Sequence, residues 1–260
     1  MRKLLLSLII VCAMATTAIA ELQYRDATQF RIIGKPTYAT DTIFSRLPDS
    51  LSGHIRQGLW GVGRNSAGIA VRFRSNTSTI GLKWHSTNNF SMNHMTATGV
   101  RGLDLYTLQS DGSWTFVNAA RPGVKPDNKY TLMSNMTPEE REYLLFLPLY
   151  DSCSSLEIGI DSTAIIAPPA IDLPVAETPI VWYGTSITQG GCASRPGMAA
   201  TNIIERELNR VVINLGFSGN GRLDYEIAEM MAAIDAGIYV LDCLPNVTTP
   251  QIKERTERFY

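Results

Sequence analysis

The sequence has 260 residues, 45% hydrophobic and 18% charged, which suits a folded chain of one large domain or two modest ones. Its 23 Lys and Arg are nearly balanced by 24 Asp and Glu. No basic block stands out, so neither nucleic acid nor an anionic membrane surface is an expected partner.

Residues 1–20 read as a secretory signal peptide: Arg2 and Lys3, an apolar run from Leu4 to Met14, and the small-x-small end Ala18-Ile19-Ala20. The run is short for a membrane span of about 20 residues. A secreted or periplasmic protein with no membrane span after cleavage is expected. Beyond the leader the chain keeps Cys153, Cys192 and Cys243. That odd number is too small for a disulfide scaffold, so a packed core must stabilise the fold, with any pairing left open.

From residue 21 to 168 the pattern is one of short strands. Gly68 to Arg74 and Thr79 to Trp84 alternate apolar and polar residues. Further strand-like runs are Leu103 to Tyr106, Trp114 to Val117, Tyr143 to Leu147 and Leu156 to Ile160, with Asp111-Gly112 as a hairpin turn. Short strands between turns predict an all-β sandwich of jelly-roll type. Trp60, Trp84 and Trp114 are core residues or, less in keeping with sandwich strands, a sugar-stacking platform.

A stiff proline-rich stretch, Ala167 to Pro174, opens a second unit over residues 169–260. Here the strands are continuous apolar runs, Pro179 to Tyr183, Val211 to Leu215 and Ile238 to Asp242. Helical patterns lie between them at Met198–Asn209, with Ile203, Ile204 and Leu208 on one face, and at Leu223–Ala236. Strand and helix in alternation predict a parallel sheet covered on both faces. Thr249 to Tyr260 reads as the opening of another helix.

Such sheets bind ligands at the carboxyl ends of their strands, and each end carries an unusual loop. These are Gly184-Thr185-Ser186-Ile187-Thr188-Gln189-Gly190, Gly216-Phe217-Ser218-Gly219 and Cys243-Leu244-Pro245-Asn246. A serine lifted above a sheet edge beside backbone N–H groups and a side-chain amide is suited to acyl transfer. Plainer roles remain beside the catalytic ones: a helix cap for Ser186, a turn glycine for Gly219, an Asx turn for Asn246.

The three loops in this order resemble blocks I, II and III of the SGNH, or GDSL, hydrolases. Gly102-Leu103-Asp104-Leu105-Tyr106 resembles the Gly-x-Asp-Leu-Tyr motif of a sandwich domain found ahead of one branch of that family, and Gly190 to Gly197 resembles the same branch. The resemblance implies a three-layer, flavodoxin-like α/β domain. It also implies Ser186 as nucleophile, Gly219 and Asn246 as oxyanion donors, and no cofactor. It further implies a secreted carboxyl-ester hydrolase acting on small-molecule or polysaccharide esters, acetyl esters foremost. The alternative is a carbohydrate-binding module with a non-functional hydrolase half.

Thr185 replaces the aspartate of the GDSL label, and no Asp-x-x-His motif follows Ser186. The histidines are His54, His85 and His94, all upstream. A sheet that stops at its third strand, with no following histidine, implies a hydrolase domain truncated there and nearly inactive as it stands. Of the remaining polar residues, Asp242 reads as structural, and His94 as a structural or substrate-contacting residue more than as a substitute base.

Overall fold

The computed structural model describes residues 21–36, 42–172 and 178–260. The leader pattern lies outside the described residues. Ten strands form the first region: β1 Gln23–Asp26, β2 Arg31–Ile33, β3 Ala70–Ser75, β4 Ile80–Ser86, β5 Leu103–Leu108, β6 Trp114–Ala120, β7 Asp127–Met133, β8 Arg141–Phe146, β9 Cys153–Ile160 and β10 Ile166–Ala167. One sheet has the order β1-β9-β4-β7, the other β10-β3-β8-β5-β6 with β2 beside β3, and every pairing is antiparallel.

Side-chain alternation explains the sandwich. On β4, Leu82 and Trp84 enter a core shared with Ile158 of β9 and with Val71, Phe73, Leu105 and Leu145 of the opposite sheet, while Lys83 and His85 face outward. β8 reads as a continuous apolar run because both of its faces are covered. Tyr143 and Leu145 point into the sandwich, whereas Leu144 and Phe146 pack with Tyr106, Ile33 and Val211 against the second region. The Asp111-Gly112 turn closes β5 onto β6, with the Gln109 N–H donating to the Ser113 carbonyl at 2.8 Å. Trp84 is core, and Trp114 donates its indole N–H to Asn209 at the contact with the second region. Trp60 packs against the apolar cluster of the second region, so among the described residues the three lie in different surroundings and not on one platform.

The second region has β11 Ile180–Gly184, β12 Val212–Gly216 and β13 Ile238–Asp242, parallel and ordered β12-β11-β13. Its helices are α3 Ser186–Gln189, α4 Ala200–Leu208, α5 Tyr225–Ala232 and α6 Thr249–Phe259. Two short helices precede them in the chain, α1 Gln57–Gly63 and α2 Ala97–Arg101. The architecture is therefore a β-sandwich followed by an α/β domain. α6 starts with a capping box between Thr248 and Gln251.

The two faces of the parallel sheet differ. Val181, Tyr183, Ile213 and Leu215 pack with Ile227 and Met231 of α5 and Phe259 of α6. Leu47 and Leu59, which precede β3 in the chain, belong to this same cluster, with Leu51, Ile55, Trp60 and Val62 packed against it. The opposite face meets α4, and here the expected apolar stripe is corrected. Thr201, Asn202 and Glu205 are the buried residues of α4, while Leu208 is 60% exposed. Polar groups line the seam: Asn214 Nδ2 donates to Thr201 Oγ1 (2.9 Å) and the Val212 N–H to Glu205 Oε2 (3.0 Å). Each buried amide or carboxylate meets a partner that an aliphatic side chain would leave stranded.

Candidate active site

Gly184 of β11 pairs in register with Gly216 of β12 and with Asp242 of β13. The chain segments that follow these residues therefore leave the sheet at one edge. This places Ser186, Gly219 and Asn246 on neighbouring loops, two, three and four residues beyond the register line.

Ser186 is the first residue of α3, but it does not cap that helix. The cap is Thr185, whose hydroxyl accepts the Ile187 N–H at 3.3 Å. Ser186 is half-buried, and its hydroxyl makes no hydrogen bond among the described residues. Its backbone is firmly held, because its carbonyl accepts from the Gly191 N–H (2.7 Å), the Gly190 N–H (3.1 Å) and the Tyr150 hydroxyl (3.2 Å).

The second loop sits directly on the first. The Phe217 N–H donates to the Gly184 carbonyl at 3.0 Å, and a Cβ at Gly221 would fall 2.2 Å from that same oxygen, so only glycine fits. Gly219 has φ +65° and is exposed, and its N–H has no acceptor among the described residues. Gln189, fully buried in α3, ties three segments together: its Oε1 accepts the Ser218 N–H (2.9 Å) and its Nε2 donates to the Leu149 carbonyl (3.0 Å). On the third loop, Asn246 Nδ2 donates to the Phe217 carbonyl at 3.3 Å. The amide thus reaches across to the second loop instead of closing an Asx turn.

Two arginines from the segment before β3 brace this edge. Arg46 is fully buried and donates to the carbonyls of Val62 (2.6 Å), Asn65 (2.8 Å) and Gly216 (2.6 Å), with its guanidinium 5.0 Å from the Phe217 ring. Burial pushes its pKa down to about 9. Arg56 forks onto both oxygens of Asp224 (2.7 and 2.8 Å) and donates to the Asn220 carbonyl (2.8 Å), fixing the end of the second loop. Nothing in the spacing of Arg46, Arg56, Tyr150 or Gln189 singles them out; only Gln189 lies inside a recognisable block.

Asp242 accepts a hydrogen bond from the Thr188 hydroxyl at 3.3 Å. His85 pairs with Asp127 on the outer face of the sandwich (2.7 Å), His94 with the neighbouring Asn93 side chain (3.0 Å), and His54 is exposed. None of the three bonds Ser186 among the described residues. Cys153 and Cys243 are buried, Cys192 is exposed, and all three are free. Among the described residues, what the edge offers chemically is a hydroxyl committed to no other group, on a turn anchored by its carbonyl, with the uncommitted Gly219 N–H on the next loop.

The family profile for the N-terminus of SGNH-hydrolase-type esterases matches residues 22–166, and that of the GDSL-like lipase/acylhydrolase family matches residues 177–260. A crystal structure of a Bacteroides ovatus protein, assigned as a GDSL-like lipase, is 39% identical, covers 92% of this chain and 69% of its own, and superimposes with a TM-score of 0.86. A salicylyl-acyltransferase from a tetracycline biosynthetic pathway shares the fold at 14% identity, with coverage of 86% and 62% and a TM-score of 0.68. Among curated proteins none matches. With both halves matched in order, the chain belongs to the GDSL-like lipase/acylhydrolase family, in the branch that carries the SGNH-type N-terminal domain ahead of the hydrolase.

Proposed function

We propose that the protein is an exported serine esterase that hydrolyses carboxyl esters, acetyl esters on a polysaccharide foremost. Hydrolase chemistry follows from the family. Export rests on the pattern of residues 1–20, and the polysaccharide on the sandwich ahead of the hydrolase. In this reading Ser186 Oγ attacks the ester carbonyl carbon and its proton passes to a base. The tetrahedral oxyanion is held by the N–H groups of Ser186 and Gly219 and by the Asn246 amide. Collapse expels the alcohol, and water then hydrolyses the acyl-enzyme. The observation that carries the reading is the Ser186 hydroxyl itself. Thr185 takes the capping role, so Ser186 is left unspent on a turn anchored through its own carbonyl.

The test is labelling by a fluorophosphonate, read by peptide mass. Where a base stands beside it, Ser186 should be the modified residue, and Ser186→Ala should abolish the mark. Asn246→Ala should slow labelling by about 10²–10³, the worth of one preorganised oxyanion donor. An unlabelled Ser186 in a form of the protein that carries the base would sink the esterase reading and favour a carbohydrate-binding module with a non-functional hydrolase half.

A further inference from the structure

The Gly-x-Asp-Leu-Tyr motif lies in the sandwich, remote in sequence from Ser186, yet its aspartate ends up against the loop that follows the nucleophile turn. Asp104 on β5 is fully buried. Its Oδ2 accepts the Gly197 N–H at 2.9 Å and the Tyr106 hydroxyl at 3.3 Å. Arg195 Nε stands 3.2 Å from the same oxygen as an ion pair, without the N–H being aimed at it, and the guanidinium covers the Phe116 ring at 4.1 Å. Asp104 Oδ1 has no hydrogen-bond partner. The fit leaves no slack, since a Cβ at Gly197 would fall 2.2 Å from the Tyr106 hydroxyl. Two more sandwich residues grip the loop, the hydroxyls of Thr96 and Thr98 donating to the Ser194 carbonyl at 2.6 and 2.7 Å. The other end of this loop is Gly190-Gly191, whose N–H groups hold the Ser186 carbonyl.

We propose that Asp104 is a positioning residue for Ser186: it clasps Arg195 and Gly197, and so fixes the loop whose glycines orient the nucleophile turn. The proposal rests on the esterase reading for its catalytic consequence and on the hydrogen bonds above for its mechanical one. Burial raises the Asp104 carboxyl to about 6, against the hydrogen bonds and the charges of Arg195 and Arg206 that pull it down. With the folded pKa above the unfolded one, the stabilising contribution is complete below the ordinary carboxylate range and is lost as pH rises through about 6. At neutral pH the ionised clasp is therefore maintained against stability.

The experiment compares the protein with Asp104→Asn and Arg195→Met by urea unfolding at neutral pH, by hydrogen exchange of peptides spanning 187–198, and by fluorophosphonate labelling of Ser186. Asp104→Asn should leave the unfolding midpoint unchanged or raised. It should speed exchange in 187–198 and slow labelling by about tenfold or more, as expected when a reacting group is loosened. Arg195→Met should move both readouts the same way by less, and Arg195→Lys should restore them. Unchanged exchange in 187–198 would overturn the proposal. So would exchange that rises equally in β11 and β12, because Asp104 would then be a structural residue only. If wild-type Ser186 takes no label at all, the esterase reading falls, while the clasp is still decided by the exchange data.

Discussion

α4 and α5 lie against opposite faces of the same parallel sheet and are buried in opposite ways. α5 inserts Ile227 and Met231 among Tyr183, Leu215 and Phe217, an ordinary apolar core. α4 turns Thr201, Asn202 and Glu205 inward and leaves Leu208 exposed. The difference follows from what each face must do. The α5 side only has to exclude water. The α4 side is also the seam with the sandwich, and its hydrogen bonds fix the position of the strand and loop beside Ser186. Asn214 shows this: one amide donates to both Thr201 Oγ1 (2.9 Å) and the Thr188 carbonyl in α3 (2.7 Å). Apolar contacts tolerate small slides, while directed hydrogen bonds define a register.

The comparison breaks most visibly on the apolar side. Ile227→Ala removes a fully buried side chain from the α5 core, and should cost about 2–5 kcal/mol in urea unfolding. A loss below about 1 kcal/mol would mean that this face is not the main store of stability.

The polar seam should respond to pH instead. Glu205 is buried, with Oε2 on the Val212 N–H and Oε1 without a partner, and burial raises its carboxyl to about 8. Because the folded pKa lies above the unfolded one, its stabilising contribution is complete below the ordinary carboxylate range and is lost as pH rises through about 8. Glu205→Gln mimics the protonated form and removes that dependence. The wild type should match or exceed the variant near pH 5 and fall behind it near pH 9, a swing on the order of 4 kcal/mol. Parallel stability curves across that range would show that Glu205 does not titrate in the fold.

Much of the architecture was legible because the sequence signals were physical ones. Alternation marked the sandwich strands with one outward face, and uninterrupted apolar runs marked β11, β12 and β13. The three loops bearing Ser186, Gly219 and Asn246 stood out as turn chemistry at strand ends, and the in-register pairing of Gly184, Gly216 and Asp242 brings them to one edge. β7 was missed because its inward positions include Asn128, a buried amide that blurs the period of two. Arg46 could not be foreseen, since a fully buried arginine is recognisable only from the carbonyls that surround it. The same holds for Tyr150, and for Asp104 in its contacts with Gly197 and Arg195, which are remote in the chain.

On α4 apolar spacing did not translate into burial: Ile203 and Ile204 are only half-buried and Leu208 is exposed, and Leu208 gives the mildest but most direct check of the correction. The spacing of Ile203, Ile204 and Leu208 is that of a core stripe, and a helix seated on such a stripe would lose several kcal/mol with Leu208→Ala. In the structure Leu208 closes the helix at 60% exposure, one residue before Asn209, which ends it in the left-handed conformation at φ +46°. A side chain so placed has little area left to lose. Alanine also has the higher helix propensity, which offsets part of any lost contact. Leu208→Ala should therefore change the unfolding free energy by no more than about 0.5 kcal/mol, with Ser186 labelling unaffected. A loss approaching that of Ile227→Ala would mean that α4 sits on its apolar stripe after all, and that the Thr201, Asn202 and Glu205 seam is not what binds it to the sheet.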